Sequence, residues 1–288
     1  MLDQIDRVQL AVPDMELAAS GWRTLLGAEE ISRDKVAALG AKRLTLRAGH
    51  SDVEIVEPDG TGLVDAALRR RGRAHLFAAG VSTPDLAALE KQLAAQGVTV
   101  AAEHGQLHLG LEFEGTEARF VASETAERAP AGDIDFLYEA TLLTGDYTSA
   151  VDQFVRVFGI AADRFKPIKS EHFGYEGTLT LFQKEKLHRF EVISPTDMSK
   201  TMGRYFDRTG ASYYMAFAEC PNMLKVEARA REAGAGITVE RPEGRAESKT
   251  PDQMWLHPPA LGGMMLGLSR PSMAWTWSGY PERVEAVA

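Results

Sequence analysis

Four stretches of the chain share one pattern, in which a start signal precedes a helical segment that ends at glycine. They are Pro13–Gly27 (PDMELAASGWRTLLG), Pro84–Gly97 (PDLAALEKQLAAQG), Asp146–Gly159 (DYTSAVDQFVRVFG) and Pro221–Gly234 (PNMLKVEARAREAG). Each follows an apolar, strand-like run, and further strand-like runs come after it. A supersecondary unit repeated in this way cannot bury its apolar face alone and must pack against its copies. The repeat therefore predicts an α+β protein of four βαβββ modules.

The first copy has a recognisable signal for each of its elements. Gln4–Val12 alternates as a strand does, and Asp14 is a good cap for the helix that follows. Gly27 is a typical helix stop. Two further runs, Ala41–Arg47 and Asp52–Glu57, have strand composition, and the other copies repeat this order.

The segment between the second and third copies has the composition of a linker. Residues 123–133 (SETAERAPAGD) are small or charged and include proline and glycine. We therefore predict an N-terminal domain of two modules over residues 1–125, a C-terminal domain of two modules over residues 133–270, and a tail over residues 271–288.

Composition and charge narrow the classes of partner. The chain has 288 residues, a net charge of −9 and a single cysteine, Cys220. Nucleic-acid binding needs a basic stripe, and the one basic cluster, Arg69–Arg73 (RRRGR), is short and predicted to be a solvated link between strands. The N-terminus lacks the features of a signal peptide and no apolar run has the length of a membrane helix, so we expect a cytoplasmic protein with no membrane partner.

Several motifs resemble those of the vicinal oxygen chelate superfamily, which includes glyoxalases, bleomycin-resistance proteins, methylmalonyl-CoA epimerases and extradiol dioxygenases. They are RVQLAVPD from Arg7, VEIVEP from Val53, AHLF from Ala74, FEVISP from Phe190 and LHPPALGGMMLGL from Leu256. The resemblance covers nearly the whole chain. It implies that the four modules pair into two glyoxalase-like half-barrel domains.

The resemblance also implies positions for a divalent metal in the N-terminal pair of modules. The first and last strands of the modules would supply Gln9, Glu54 and His75 as ligands, with Glu117 as a fourth ligand or as a base. Arg119 stands at the remaining family position and would place a cation nearby. Such a donor set suits a borderline or hard ion, and zinc, nickel, manganese, cobalt and iron are the candidates.

The corresponding positions of the C-terminal pair hold Glu139, Glu191, Tyr214 and Gly267. Two carboxylates and a phenol could perform acid–base catalysis without a metal if burial raises the pKa of one acid. Alternatively, this half has lost its metal and keeps the barrel for substrate contact or dimerisation.

Aromatic and methionine side chains are dense in the second half of the chain, and some could line an apolar pocket. The candidate substrate contacts, which include two polar residues, are Tyr213, Trp255, Met265, Phe173, His257 and Arg119.

The family resemblance implies the first two of three candidate functions, and the residues of the C-terminal pair suggest the third. The first is an enzyme that acts through a divalent metal on a small oxygenated, aromatic or acyl metabolite, as a lyase, an isomerase or epimerase, or a ring-cleaving dioxygenase. The second is a non-catalytic drug- or metabolite-binding protein of the resistance type. The third is a metal-free acid–base enzyme. In each case the expected partner is a small molecule, and a homodimer is an open alternative.

Overall fold

Sixteen strands and six α-helices make up the four modules in the computed structural model, which describes residues 2–286. Modules one and two form an eight-stranded sheet with the order β2-β3-β4-β1-β5-β8-β7-β6. The first module comprises β1 (Gln4–Ala11), α1 (Met15–Leu26), β2 (Glu29–Val36), β3 (Ala41–Ala48), β4 (Ser51–Pro58) and the following α2 (Leu63–Arg71). The second comprises β5 (His75–Thr83), α3 (Leu86–Ala95), β6 (Val100–Glu103), β7 (Gln106–Phe113) and β8 (Thr116–Glu124).

Modules three and four form a second sheet of the same topology, with the order β10-β11-β12-β9-β13-β16-β15-β14. The third module comprises β9 (Phe136–Leu143), α4 (Tyr147–Phe158), β10 (Phe165–Ser170), β11 (Tyr175–Leu181), β12 (Arg189–Pro195) and the following α5 (Thr201–Thr209). The fourth comprises β13 (Ser212–Glu219), α6 (Met223–Glu232), β14 (Ile237–Glu240), β15 (Gln253–Leu256) and β16 (Met265–Ser269). The predicted fold of four βαβββ modules is confirmed. None of the helices in the described part of the chain is long and apolar enough to span a membrane.

The repeated helix signals act as the sequence predicts. The Asp14 side chain accepts a hydrogen bond from the backbone N–H of Leu17 at 2.9 Å, and α1 ends at Gly27, whose φ is 68°. Asp146 caps α4 in the same way, and Gly159 ends that helix with the same φ. An aspartate satisfies N–H groups that lack a helical partner, and glycine adopts the left-handed conformation without a steric cost from Cβ.

Two elements of the first module differ from the sequence-based prediction. β2 is an additional strand, and nearly all of its side chains are exposed. An edge strand with no buried face lacks the apolar alternation by which strands are predicted. Arg69, Arg70 and Arg71 form the last turn of α2, where cations favour the negative end of the helix dipole, rather than a link between strands.

The chain divides into two compact units, each of which draws on two modules. Unit 1 contains the residues up to Ile5, then Ala78–Ala126 and Glu139–Tyr214. Its core is a group of aromatic rings centred on Phe120, whose ring centroid lies 5.3–5.9 Å from those of four others: Phe154, Phe158, Phe190 and Tyr213. Ring pairs at this spacing stabilise a core beyond the burial of their area.

Unit 2 contains Asp6–Phe77, Glu127–Tyr138 and the chain from Met215 onward. Its core includes Trp22 of α1, which is fully buried. Gly21 lets α1 approach the backbone near Ala260, because a Cβ at this position would lie 1.7 Å from the Ala260 carbonyl oxygen. This close approach explains why the helix tolerates a glycine in its interior.

Candidate functional site

Two neighbouring strands of unit 1 bring polar side chains to one face of the sheet. β9 and β12 run parallel, and Glu139 lies opposite Arg189. Two residues further along, Thr141 lies opposite Glu191. Because residues two apart on a strand point to the same side, all four side chains share a face. Phe190 lies between the two β12 residues and points the other way, into the aromatic core.

The centre of this face is a buried ion pair. Arg189 Nε donates to Glu139 Oε2 at 2.6 Å, and the two residues are 0% and 2% exposed. A buried charge is tolerated when an opposite charge is hydrogen-bonded to it, and removal of either partner leaves the other charge buried without compensation. Glu139 and Arg189 are therefore each other's hydrogen-bonded partner in the interior of unit 1.

Glu191 is in a different state. Its carboxyl group accepts a hydrogen bond from the Thr141 hydroxyl at 2.5 Å and adjoins Glu139. Burial, and next the negative charge of Glu139, raise the pKa of Glu191 to about 8. At neutral pH most of this acid is therefore protonated. At 8% exposure, Glu191 also keeps more contact with solvent than Glu139 or Arg189.

Three tyrosines stand next to this acid. Tyr175 begins β11, Tyr205 lies on α5 and Tyr214 lies on β13. All three are half-buried and pack against an apolar cluster of Leu143, Ile193 and Met202. The Tyr205 and Tyr214 rings meet edge to face with centroids 4.9 Å apart.

The phenols of Tyr175 and Tyr214 remain protonated over the physiological range. Burial, with smaller contributions from Tyr205 and Glu191, raises the pKa of Tyr214 to about 12. Burial and then the charges of Glu191 and Glu139 raise the pKa of Tyr175 as well. Both side chains are therefore hydrogen-bond donors and not bases.

Unit 2 carries the matching positions on β1 and β4, which also run parallel. Gln9 lies opposite Glu54, and Arg7 lies opposite Asp52. Gln9 Nε2 donates to Glu54 Oε2 at 2.7 Å, as Thr141 does to Glu191. On the other oxygen, Oε1, Glu54 meets Arg7 Nη1 at 3.1 Å and Arg43 Nη1 at 3.5 Å. Glu54 is therefore an ion-paired carboxylate.

The second of these guanidinium groups has no counterpart in unit 1. Arg43 lies on β3 opposite Val56, the residue two positions after Glu54. In unit 1 the residue two positions after Glu191 is Ile193, and Gly177 of β11 lies opposite it. A Cβ at Gly177 would lie 2.1 Å from the carbonyl oxygen of Val192. No side chain can therefore occupy this place, and Glu191 lacks the cation that Glu54 has.

The residues predicted to hold a metal are only partly brought together. Gln9 and Glu54 are in contact, but a cation bound to Glu54 would lie beside two positive guanidinium groups. His75 has Nδ1 2.9 Å from the carbonyl oxygen of Arg73, and burial lowers its pKa to about 4. Within residues 2–286 no three His, Cys, Asp or Glu side chains are arranged to share a metal ion. The neutral His75 ring, with Nδ1 bonded to a carbonyl, is suited to bind a metal through Nε2. The two guanidinium groups beside Glu54 are what make the donor set as folded a poor fit for a divalent metal.

The matching positions of the C-terminal modules do not fit one either. Glu139 is already bonded to Arg189. At Gly267 there is no donor atom, and a Cβ there would lie 2.2 Å from the ring of Phe217. The Phe217 ring thus takes the space that an acidic side chain at position 267 would need.

The other predicted residues of unit 1 lie in different surroundings. Glu117 and Arg119 form an ion pair at 2.7 Å, with the Glu117 side chain 48% exposed. Tyr213 packs against Phe120, away from its neighbour on β13, Tyr214. Phe173 is 41% exposed in the turn before β11.

The remaining predicted substrate contacts belong to unit 2: Trp255, His257 and Met265. Trp255 packs edge-on against Phe217 with ring centroids 6.3 Å apart. His257 Nε2 lies 3.0 Å from the hydroxyl of Thr238. Of the residues predicted for catalysis and binding, the structure brings Glu139, Glu191 and Tyr214 together.

The sequence-based prediction did not include Arg189 or Thr141, and it placed Tyr175 and Tyr205 only among the aromatic residues that could line a pocket. The period of two in a strand could have found the first two, since each lies two residues from a predicted glutamate. Tyr175 and Tyr205 come from β11 and α5, and no spacing in the sequence links them to Glu191.

Comparison with known proteins supports the fold. No protein-family model and no curated protein matches the sequence. A triple-substitution variant of 4-hydroxymandelate synthase from Streptomyces coelicolor is structurally similar over 94% of this chain and 93% of that chain, with a TM-score of 0.73 and 11% sequence identity. A xylose isomerase-like TIM barrel/4-hydroxyphenylpyruvate dioxygenase fusion protein is similar over 94% of this chain and 49% of that chain, with a TM-score of 0.63 and 12% identity.

The topology of the two sheets matches the module order predicted from the motifs that resemble this superfamily. At these identities the likeness establishes architecture and not chemistry. The chain therefore has the paired βαβββ fold of the vicinal oxygen chelate superfamily.

Proposed function

We propose that the protein is an enzyme that moves a proton on a small oxygenated metabolite, as an isomerase, epimerase or lyase, with Glu191 as the acid–base group. One observation carries this proposal. Two glutamates occupy matching register positions, and guanidinium groups neutralise Glu54 whereas Glu191 has Thr141 and Glu139 as its neighbours. A carboxyl group with its pKa near the working pH is suited to general acid–base catalysis.

Each neighbour has a role in this chemistry. In its carboxylate form Glu191 accepts a proton from a carbon next to a carbonyl group, and it then returns the proton to the same or a neighbouring atom. Thr141 holds one carboxyl oxygen at 2.5 Å and so limits the rotamers of the acid. The negative charge of Glu139, held in place by Arg189, raises the proton affinity of Glu191 and makes it a stronger base.

The chemistry of the site supports an enzyme over a protein that only binds. The two similar structures, named as a variant of 4-hydroxymandelate synthase and as a fusion protein that contains 4-hydroxyphenylpyruvate dioxygenase, are consistent with this. No step here runs through a metal, because the carboxylates at the expected ligand positions are already bonded to arginines. A buried acid with a raised pKa beside half-buried phenols is typical of a catalytic site.

Proton exchange in deuterium oxide tests the proposal. Hydroxyacetone and phenylacetone serve as probes, and proton NMR follows the loss of the C–H signal next to the carbonyl. We expect the wild-type protein to accelerate exchange of at least one probe and Glu191→Gln to lose about a hundredfold or more of that rate. Glu176→Gln, on an exposed residue of β11, is the matched control and should retain the rate.

Two results would contradict the proposal. Equal exchange by wild type and Glu191→Gln would show that another group moves the proton. If saturation-transfer NMR detects binding of a probe but the wild-type protein does not accelerate its proton exchange, the binding-protein alternative would be favoured.

A further inference from the structure

The hydroxyl groups of Tyr175 and Tyr214 are available for a ligand. Neither forms a hydrogen bond to another residue within the described range, although both rings are half-buried. Neither hydroxyl oxygen is sealed from solvent, in contrast to the fully enclosed hydroxyl of Tyr213. Both hydroxyls are therefore accessible and can donate to a ligand that enters from solvent.

Tyr205 differs because its hydroxyl already has a hydrogen-bond partner in the protein. The hydroxyl of Tyr205 donates to the backbone carbonyl of Tyr213 at 3.2 Å. Its ring supports Tyr214 edge to face. Tyr205 therefore positions a neighbouring ring, while Tyr175 and Tyr214 keep their donors for another molecule.

Both available donors lie near the acid. Both rings pack against the cluster that contains Ile193, which lies two residues after Glu191 on β12 and so on the same face of that strand. The charge of Glu191 acts on both Tyr175 and Tyr214. The surrounding side chains are apolar, with Leu143, Ile193 and Met202 packed against the rings. Donors fixed in an apolar wall stabilise a developing negative charge more than the same donors do in water.

We propose that Tyr175 and Tyr214 together bind the carbonyl oxygen of the substrate and stabilise the enolate formed when Glu191 removes a proton from the adjacent carbon. The substrate class is then a ketone or aldehyde that has a C–H on the carbon next to the carbonyl group. This inference rests on the proposed function, because it needs Glu191 to act as the base.

The step balances without an oxidant or a reductant. The Glu191 carboxylate takes the proton, the C–H electron pair forms a carbon–carbon double bond, and the carbonyl π pair moves to oxygen. The two phenol O–H groups donate to that oxygen and keep their own protons. Reprotonation of the same carbon by Glu191 restores the carbonyl compound and the carboxylate.

A phenol that mimics the enolate provides a test without turnover. The probe is para-nitrophenol, whose anion is an oxygen with delocalised negative charge and whose visible absorbance reports the ionised fraction. We expect it to bind the wild-type protein with an increased ionised fraction. Tyr175→Phe and Tyr214→Phe, which keep the rings, should each weaken binding by about tenfold.

Tyr280→Phe is the matched control, because Tyr280 belongs to unit 2 and its ring packs against Trp275 and Arg283. We expect this variant to change the affinity for para-nitrophenol by less than about twofold. Unchanged affinity in both Tyr175→Phe and Tyr214→Phe would overturn the inference, as would an equal loss in Tyr280→Phe. Thermal unfolding of each variant checks that the fold is retained.

The outcome separates the inference from the proposed function. If the two tyrosine variants bind the probe as wild type does while Glu191-dependent exchange persists, only the enolate site is wrong. If the wild-type protein exchanges neither ketone probe, the proposed function fails and the inference fails with it.

Discussion

Glu54 and Glu191 occupy matching positions on the last strands of their modules, yet they differ in what surrounds them. Glu54 lies opposite Gln9 and contacts two arginines, whereas Glu191 lies opposite Thr141 and adjoins a second carboxylate. The first environment stabilises the ionised carboxylate and the second disfavours it. The same residue type on the same fold thus provides an ion-paired carboxylate in unit 2 and a titratable acid in unit 1.

The proton-exchange rate should rise with pH up to the pKa of Glu191. The base is the carboxylate form, and its fraction grows about tenfold per pH unit below the pKa of about 8 before it levels off. Exchange rates measured from mildly acidic to alkaline pH with phenylacetone or hydroxyacetone check this. A profile that is flat through this range, or that falls as pH rises, would contradict a base with this pKa.

Replacement of Glu191 should also change how stability depends on pH. The folded pKa of about 8 lies above the usual value of 4.5, so the folded state binds more protons between these two values. The contribution of Glu191 to stability is therefore complete below pH 4.5 and declines as pH rises through 8. Relative to Glu191→Gln, wild type should lose roughly 1 kcal/mol or more of unfolding free energy between about pH 5 and about pH 9. Urea unfolding of both proteins at the two pH values measures the difference, and parallel pH dependences would refute it.

Removal of one partner of the buried ion pair should lower the free energy of unfolding, whereas removal of both partners should lower it much less. Arg189→Met leaves the Glu139 carboxylate buried without its partner at 2.6 Å, and we expect a loss of about 3–5 kcal/mol. The double variant Arg189→Met with Glu139→Met removes both charges and should recover most of that loss. Urea unfolding of wild type, both single variants and the double variant forms a double-mutant cycle. Additive effects in the cycle would show that the two side chains do not depend on each other.

Removal of metal should leave the activity unchanged. The oxygens of Glu54 are contacted by Gln9, Arg7 and Arg43, and those of Glu139 by Arg189, so we expect no tightly bound divalent ion at either place. Elemental analysis of untagged protein and exchange assays before and after dialysis against EDTA check this. A stoichiometric ion that is lost in Glu54→Gln, together with activity that returns only when metal is added, would restore the metal-dependent alternative.

Local patterns in the sequence were sufficient for the fold. Asp14 and Gly27 mark the ends of α1 because a cap and a left-handed stop depend only on neighbouring residues. β2 was missed because an exposed edge strand has no buried face and so shows no alternation of apolar and polar residues in the sequence. The glutamates of the candidate site were found because the family resemblance assigns Glu139 and Glu191 to the first and last strands of their module.

The sequence by itself thus determined the module order and the helix ends, since both depend on residues close together along the chain. The resemblance of its motifs to a known family added two carboxylates and a phenol at repeated strand positions. Tertiary structure alone decided which glutamate is neutralised. Arg43 reaches Glu54 across the sheet, while the matching position beside Glu191 is Gly177, pressed against the backbone of β12. Charge state depends on burial and on through-space contacts between strands far apart in the chain, and a linear pattern does not contain those distances.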